Sequence, residues 1–242
     1  MTNIFDKLKN KFDRKIFSKL LKKIDSLSLT NLDERRRNYI FNYHRNDYKF
    51  DKNQIVFIHV PKTGGASIRK HLEKNLNNFY IFKKKSEHNP VSLLCSPKDY
   101  NYITFLRNPV NRVYSYYNML KKYNYVPGHD LAKKSLSDLL INSYQVKNLY
   151  CQYFSGLPFE NVNEEIFNLA LSNLKMFYFV GKFEDFNNSF VNLCSKLDLK
   201  NNSLIHINKN NYLEISDDQK KLIESYNSYD IKLYKIFFNL ST

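Results

Sequence analysis

A chain of 242 residues, 43% of them hydrophobic, can fill one sizeable α/β core with an accessory segment but not two full domains. Lys and Arg outnumber Asp and Glu by 38 to 23, a formal charge of +15 that favours anionic partners without naming the anion. Cys95, Cys151 and Cys194, three in all, are too far apart to suggest a disulfide framework or a zinc site with short ligand spacing. With no run of about 18 apolar residues for a membrane span and no apolar signal core, the sequence predicts a soluble protein of a reducing compartment.

Residues 1–27 place Ile4, Leu8, Phe12, Ile16, Leu20 and Ile24 at a spacing of four, with Lys and Arg in most gaps. This is a basic amphipathic helix. It reads first as a helix packed on the domain with a solvated basic face; a peripheral membrane contact is the second reading and partner binding the third. Residues 28–50 form a connecting helix and loop, so that 1–50 is a helical N-terminal segment and 51–242 the main domain.

The main domain is organised around residues 55–72, IVFIHVPKTGGASIRKHL. The β-branched and aromatic run 55–60 predicts a buried strand, ended by Pro61. Gly64 and Gly65 allow a sharp turn and close approach to a ligand, and residues 66–76 predict a helix. The first turn of a helix leaves unpaired N–H groups and a partial positive charge, and Lys62, Thr63 and Ser67 can add an ammonium and two hydroxyls. The junction therefore suits a phosphate or sulfate. It is not the nucleoside-triphosphate loop, because the lysine precedes the glycines.

Residues 79–82 predict a second strand. A polar stretch with Glu87, His88, Pro90 and Pro97 follows, and residues 102–106 predict a third strand leading into RNPVNRVYSYY, residues 107–117. Asn108 can cap the next helix and Pro109 suits its first position. Arg107 then stands at a strand end, and Arg112 and Ser115 occupy neighbouring positions on the helix. By itself an arginine-rich helix start is most often structural, with Arg112 pairing an acid on the surface. As the second of two anion-type loops it reads as a second anion site, since parallel strand ends open on one edge of a sheet.

Beyond Tyr123, Pro127, Gly128 and His129 mark a loop, and VKNLYCQYFSGLP, residues 146–158, reads as loop as well. Residues 164–174 predict a helix, 177–180 a buried strand, and Gly181 the turn of FVGKFEDF into another helix. Ser216 and Gln219 form a capping box opening a helical C-terminal region.

The stretch PKTGGAS after a strand resembles the 5′-phosphosulfate loop of carbohydrate sulfotransferases that use 3′-phosphoadenosine 5′-phosphosulfate (PAPS). It is most similar to the branch with the heparan sulfate 2-O- and 6-O-sulfotransferases, whose loop has Thr where this chain has Ala66. R-x-P-x-x-R-x-x-S-x-Y at 107–117 is similar to that family's second signature at every fixed position. The resemblance spans residues 53–238 and is carried chiefly by these two motifs; Asn148, Gln152, Gly156 and FVGKFEDF add weaker likeness.

The resemblance implies a three-layer, P-loop-like sulfotransferase fold with a central parallel sheet. It implies PAPS as co-substrate, with no metal, and a glycan or glycoconjugate as acceptor. It assigns Pro61, Lys62, Thr63, Gly64, Gly65, Ala66 and Ser67 to the sulfate end, Arg107 and Ser115 to the 3′-phosphate, and catalysis to Lys62. His88 falls in the interval where the heparan sulfate enzymes carry a catalytic histidine. Lacking the membrane anchor of eukaryotic Golgi relatives, the chain is expected to be a cytoplasmic, bacterial member, at most held at the inner face of the membrane. The alternatives are a non-catalytic protein binding the product nucleotide PAP or other polyanions, and a nucleotide-dependent phosphotransferase. Nucleic acid is not an expected partner, because the lysines are scattered and no reading motif accompanies them.

Overall fold

The structure is a computed structural model describing residues 54–76, 79–81, 101–126, 128–157, 161–199 and 214–240. The N-terminal amphipathic segment, Cys95, His88 and Glu87 lie outside the described residues. Four parallel strands form one sheet in the order β2-β1-β3-β4: β1 (Ile55–Phe57), β2 (Phe79–Ile81), β3 (Asn101–Leu106) and β4 (Phe179–Lys182). Helices cover both faces, as the near-continuous apolar runs of the strands require, since successive side chains point to opposite faces. Ile55, Phe57, Ile103 and Phe105 pack against α1 (Gly65–Asn75) through Ile68 and Leu72, and against α7 (Phe186–Lys196) through Phe190 and Leu193. The intervening residues Val56, Ile58, Tyr102 and Leu106 face the other way, onto α5 (Leu149–Ser155), α6 (Glu164–Lys175) and α9 (Ser228–Phe237). This is the expected α/β architecture in three layers.

A third apolar cluster stands beside the sheet, where α2 (Pro109–Lys122) packs with α3 (His129–Lys134), α4 (Leu136–Asn142) and α8 (Asp217–Tyr226). The predicted caps form. Asn108 Oδ1 accepts from the N–H groups of Val110 and Asn111 with Pro109 in the first turn, and Ser216 and Gln219 close their capping box.

Three expectations are corrected. First, β1 ends at Phe57, three residues short of Val60, although Ile58 N–H still donates to the Ile103 carbonyl at 2.9 Å. The Thr104 hydroxyl takes the Ile58 carbonyl at 2.8 Å, so a side chain replaces the next ladder bond. Secondly, the strand predicted at 177–180 lies at Phe179–Lys182, with Gly181 inside it. A Cβ at 181 would lie 2.3 Å from the Phe105 ring, so this glycine serves packing and not a turn. Thirdly, the stretch expected to be loop at 146–158 contains α5, preceded by α3, α4 and a 3-10 turn (Tyr144–Val146). Tertiary burial overrides the weak local signal: every residue of α5 is buried.

Candidate functional site

The strand order reverses between β1 and β3, and both anion-type loops leave the carboxyl ends of these neighbours. In parallel α/β sheets a crevice opens at such a point. Here it is a cleft of about 1180 Å³ whose wall includes Lys62, Arg107, Asn108, Ser115, Phe183 and Glu184.

The first loop is shaped by its backbone. Lys62 and Gly64 take left-handed φ values of 71° and 78°. For lysine this costs of order 1 kcal/mol or more. Gly64 is the N-cap of α1, and no side chain caps that helix, so its first-turn amides are not taken by a capping group. Both glycines are also required by space. A Cβ on Gly64 would lie 2.8 Å from Phe186 and 3.1 Å from Phe183, and one on Gly65 only 1.9 Å from the His59 ring. His59 is buried and stacked on Phe57, so its ring packs within the fold.

The second loop is shaped by side chains. Arg107 is 5% exposed; its guanidinium lies over the Phe183 ring at 4.6 Å and its Nη1 donates to the Lys62 carbonyl at 3.3 Å, tying the two loops together. Burial, and then the nearby Arg107 charge, hold the Lys62 ammonium below its usual pKa of 10.5. Two cations therefore face one cleft and disfavour each other's charge, an arrangement that an anion between them relieves. Glu184 is committed elsewhere: its carboxylate accepts from the Asn108 N–H at 2.7 Å and from the Tyr234 hydroxyl at 2.6 Å.

Of the residues assigned from sequence, Lys62, Arg107 and Ser115 meet on the cleft wall. Thr63 does not offer its hydroxyl to a ligand as expected. Fully buried, it donates to the Val60 carbonyl at 2.8 Å and so fastens the loop. Pro61 and Gly65 are buried beneath it, Gly64 and Ala66 are half-buried, and the Ser67 N–H donates to the Gly64 carbonyl at 3.2 Å. Arg112, expected at the surface, is fully buried: its Nη1 donates to the Gln145 carbonyl at 3.2 Å and its plane lies over the Tyr150 ring at 5.5 Å. Asn148, Gln152 and Gly156 serve α5 itself. Asn148 and Gly156 flank that helix in left-handed conformations, and Gln152 donates to the Lys147 carbonyl at 2.6 Å.

Sequence reasoning missed the rest of the wall. Asn111, Asn118 and Lys122 line it with Ser115, a polar stripe at helical spacing down α2 that the sequence does contain. Phe183 and Glu184 were visible only as part of FVGKFEDF, and Lys220 and Glu224 of α8 carry no local signal. No known protein family matches the chain, and neither does any curated protein.

Proposed function

We propose that this protein is a sulfotransferase that moves a sulfuryl group from PAPS to a hydroxyl of a carbohydrate or glycoconjugate acceptor, on a P-loop-like sulfotransferase fold. The observation that carries the reading is the meeting of two separately recognised motifs. Lys62 of PKTGGAS and Arg107 of RNPVNR lie on the loops that leave adjacent parallel strands, are joined by the bond from Arg107 Nη1 to the Lys62 carbonyl, and open with Ser115 on one cleft.

In this reading the uncapped start of α1 and Lys62 hold the 5′ end of the donor, and Arg107 and Ser115 hold its 3′-phosphate. The acceptor oxygen bonds to sulfur as the bond from sulfur to the 5′-phosphate oxygen breaks; the electron pair stays on that phosphate and PAP leaves. Negative charge grows on the leaving oxygen, so an ammonium aimed there favours the transition state over the ground state. Lys62 is assigned that role. The acceptor's proton passes to a base, for which His88 is proposed, since neutral imidazole accepts a proton at neutral pH.

A thermal-shift panel of PAP, ATP, NADH and an oligonucleotide, followed by turnover of PAPS against a panel of glycans, tests the reading. PAP at 100 times its dissociation constant adds about 2.7 kcal/mol, a shift of about 5 to 10 °C in a domain of this size. Stabilisation by PAP without sulfate transfer to any glycan leaves a non-catalytic nucleotide-binding protein, and stabilisation by ATP alone favours a phosphotransferase. With an acceptor in hand, His88→Ala lowers kcat about 100-fold and removes the acidic limb of the pH–rate profile. A variant that keeps both moves the base to Glu87 or elsewhere.

A further inference from the structure

The last residue of β3 with a partner on β4 is Leu106, so the sheet does not pair Arg107. One phenol takes over. The Tyr150 hydroxyl accepts from the Arg107 N–H at 2.9 Å and donates to the Arg107 carbonyl at 2.6 Å. Both groups are buried, and a buried backbone group must find a partner. Tyr150 is itself held from three sides. Its N–H and that of Cys151 donate to the two carboxylate oxygens of Asp230 in α9, each at 2.9 Å, which caps α5 from another helix. Its ring meets the Arg112 plane at 5.5 Å and stacks with Phe154 at 6.0 Å. Burial pushes its phenol far above the usual pKa, so it stays a neutral donor.

We infer that Tyr150 is a positioning residue for the anion site: it fixes the backbone of Arg107 at the strand end and thereby aims the guanidinium into the cleft. It touches no ligand and acts through Arg107. The proposal deepens the sulfotransferase reading and, for its nucleotide measurement, rests on it. A tyrosine that merely fills the core predicts lost stability at constant affinity; a positioning tyrosine predicts lost affinity that depends on Arg107.

Tyr150→Phe keeps the ring and removes both hydrogen bonds. In a folded variant, PAP affinity by titration calorimetry falls about tenfold, and amide hydrogen exchange at Arg107 accelerates by a similar factor. In an Arg107→Ala background the same substitution changes PAP affinity less than about twofold. Equal losses in both backgrounds, or unchanged affinity and exchange, overturn the proposal.

Inorganic pyrophosphate, titrated in parallel, reads the anion site apart from the nucleotide. If wild type binds pyrophosphate but not PAP, the PAPS reading falls, and the pyrophosphate affinities of the same four proteins decide the positioning role by the same criterion. If it binds neither, both fall. Should Tyr150→Phe not fold, Asp230→Asn, which loosens the start of α5 but keeps the phenol, decides instead. An Arg107-dependent loss supports the proposal and an Arg107-independent or absent one overturns it.

Discussion

The loop after β1 and the loop after β3 end within hydrogen-bonding distance of each other, yet they are held by different means. Between Val60 and Gly65 the chain turns through left-handed conformations at Lys62 and Gly64 and enters α1 without a side-chain cap. Between Leu106 and Val110 it enters α2 with an asparagine cap and a first-turn proline, and its arginine is braced by Tyr150 and Phe183. The first loop can thus present backbone N–H groups that no side chain caps, whereas the second presents one side chain braced by residues far away in sequence. An anion bridging them would draw on both kinds of donor, which suits a ligand with two separate charged ends.

The largest effect is expected at Lys62. Lys62→Ala is expected to lower kcat about 100- to 1000-fold, the scale of losing one preorganised group that stabilises developing charge, while PAP affinity stays within about tenfold. Single-turnover kinetics with calorimetry decide it, and turnover within threefold of wild type removes Lys62 from catalysis.

Arg107→Ala tests the side-chain loop. A charge-assisted hydrogen bond contributes about 1.5 to 3 kcal/mol, so PAP binding weakens by about 10- to 100-fold. Ser115→Ala costs only a few-fold, the share of a neutral bond. Adenosine 5′-phosphosulfate, which lacks the 3′-phosphate, should bind both variants nearly as it binds wild type. Equal losses for the two ligands would make these residues structural.

Gly65→Ala tests the backbone loop. Its φ is not left-handed, so the cost comes from the 1.9 Å approach of the new Cβ to the His59 ring. Overpacking of this kind costs about 1 to 3 kcal/mol in urea unfolding. Adding His59→Ala makes room and should recover part of it; a double variant no more stable than the additive expectation would place the strain elsewhere.

The smallest effect is in pH. Because the Lys62 pKa is lowered in the folded protein, Lys62 binds less proton there than in the unfolded chain between that lowered value and 10.5. This contribution to stability therefore rises with pH across the interval. Ligand affinity moves the opposite way: a dianion prefers charged Lys62, so PAP binding takes up a proton and weakens as pH climbs through the lowered pKa. Lys62→Met should flatten both trends, measured by unfolding and by calorimetry in buffers of different ionisation enthalpy.

Local chemistry made much of the first loop legible. Two adjacent glycines after an apolar run announce a tight turn, and a lysine before them marks the loop as a candidate anion site. It did not reveal that Thr63 spends its hydroxyl on the Val60 carbonyl, because that bond exists only once the loop has closed. The second loop was legible as a cap, a proline and three polar side chains. Which arginine faces the cleft was decided by packing: Arg107 lies against Phe183 at the cleft, and Arg112, five residues on, is turned into the core against Tyr150.

What the sequence by itself determined is whatever depends on neighbours within one turn or one strand. That covers the helix start at Asn108, the capping box at Ser216, the apolar run that makes β1 a buried strand, and the glycine turn before α1. What only the tertiary structure decided depends on contacts across many residues. The shift of β4 to include Gly181 answers to the Phe105 ring, and the helix at Leu149–Ser155 answers to the Asp230 carboxylate about 80 positions later. A short buried helix earns its stability from what covers it and caps it, and those partners are brought together only by folding.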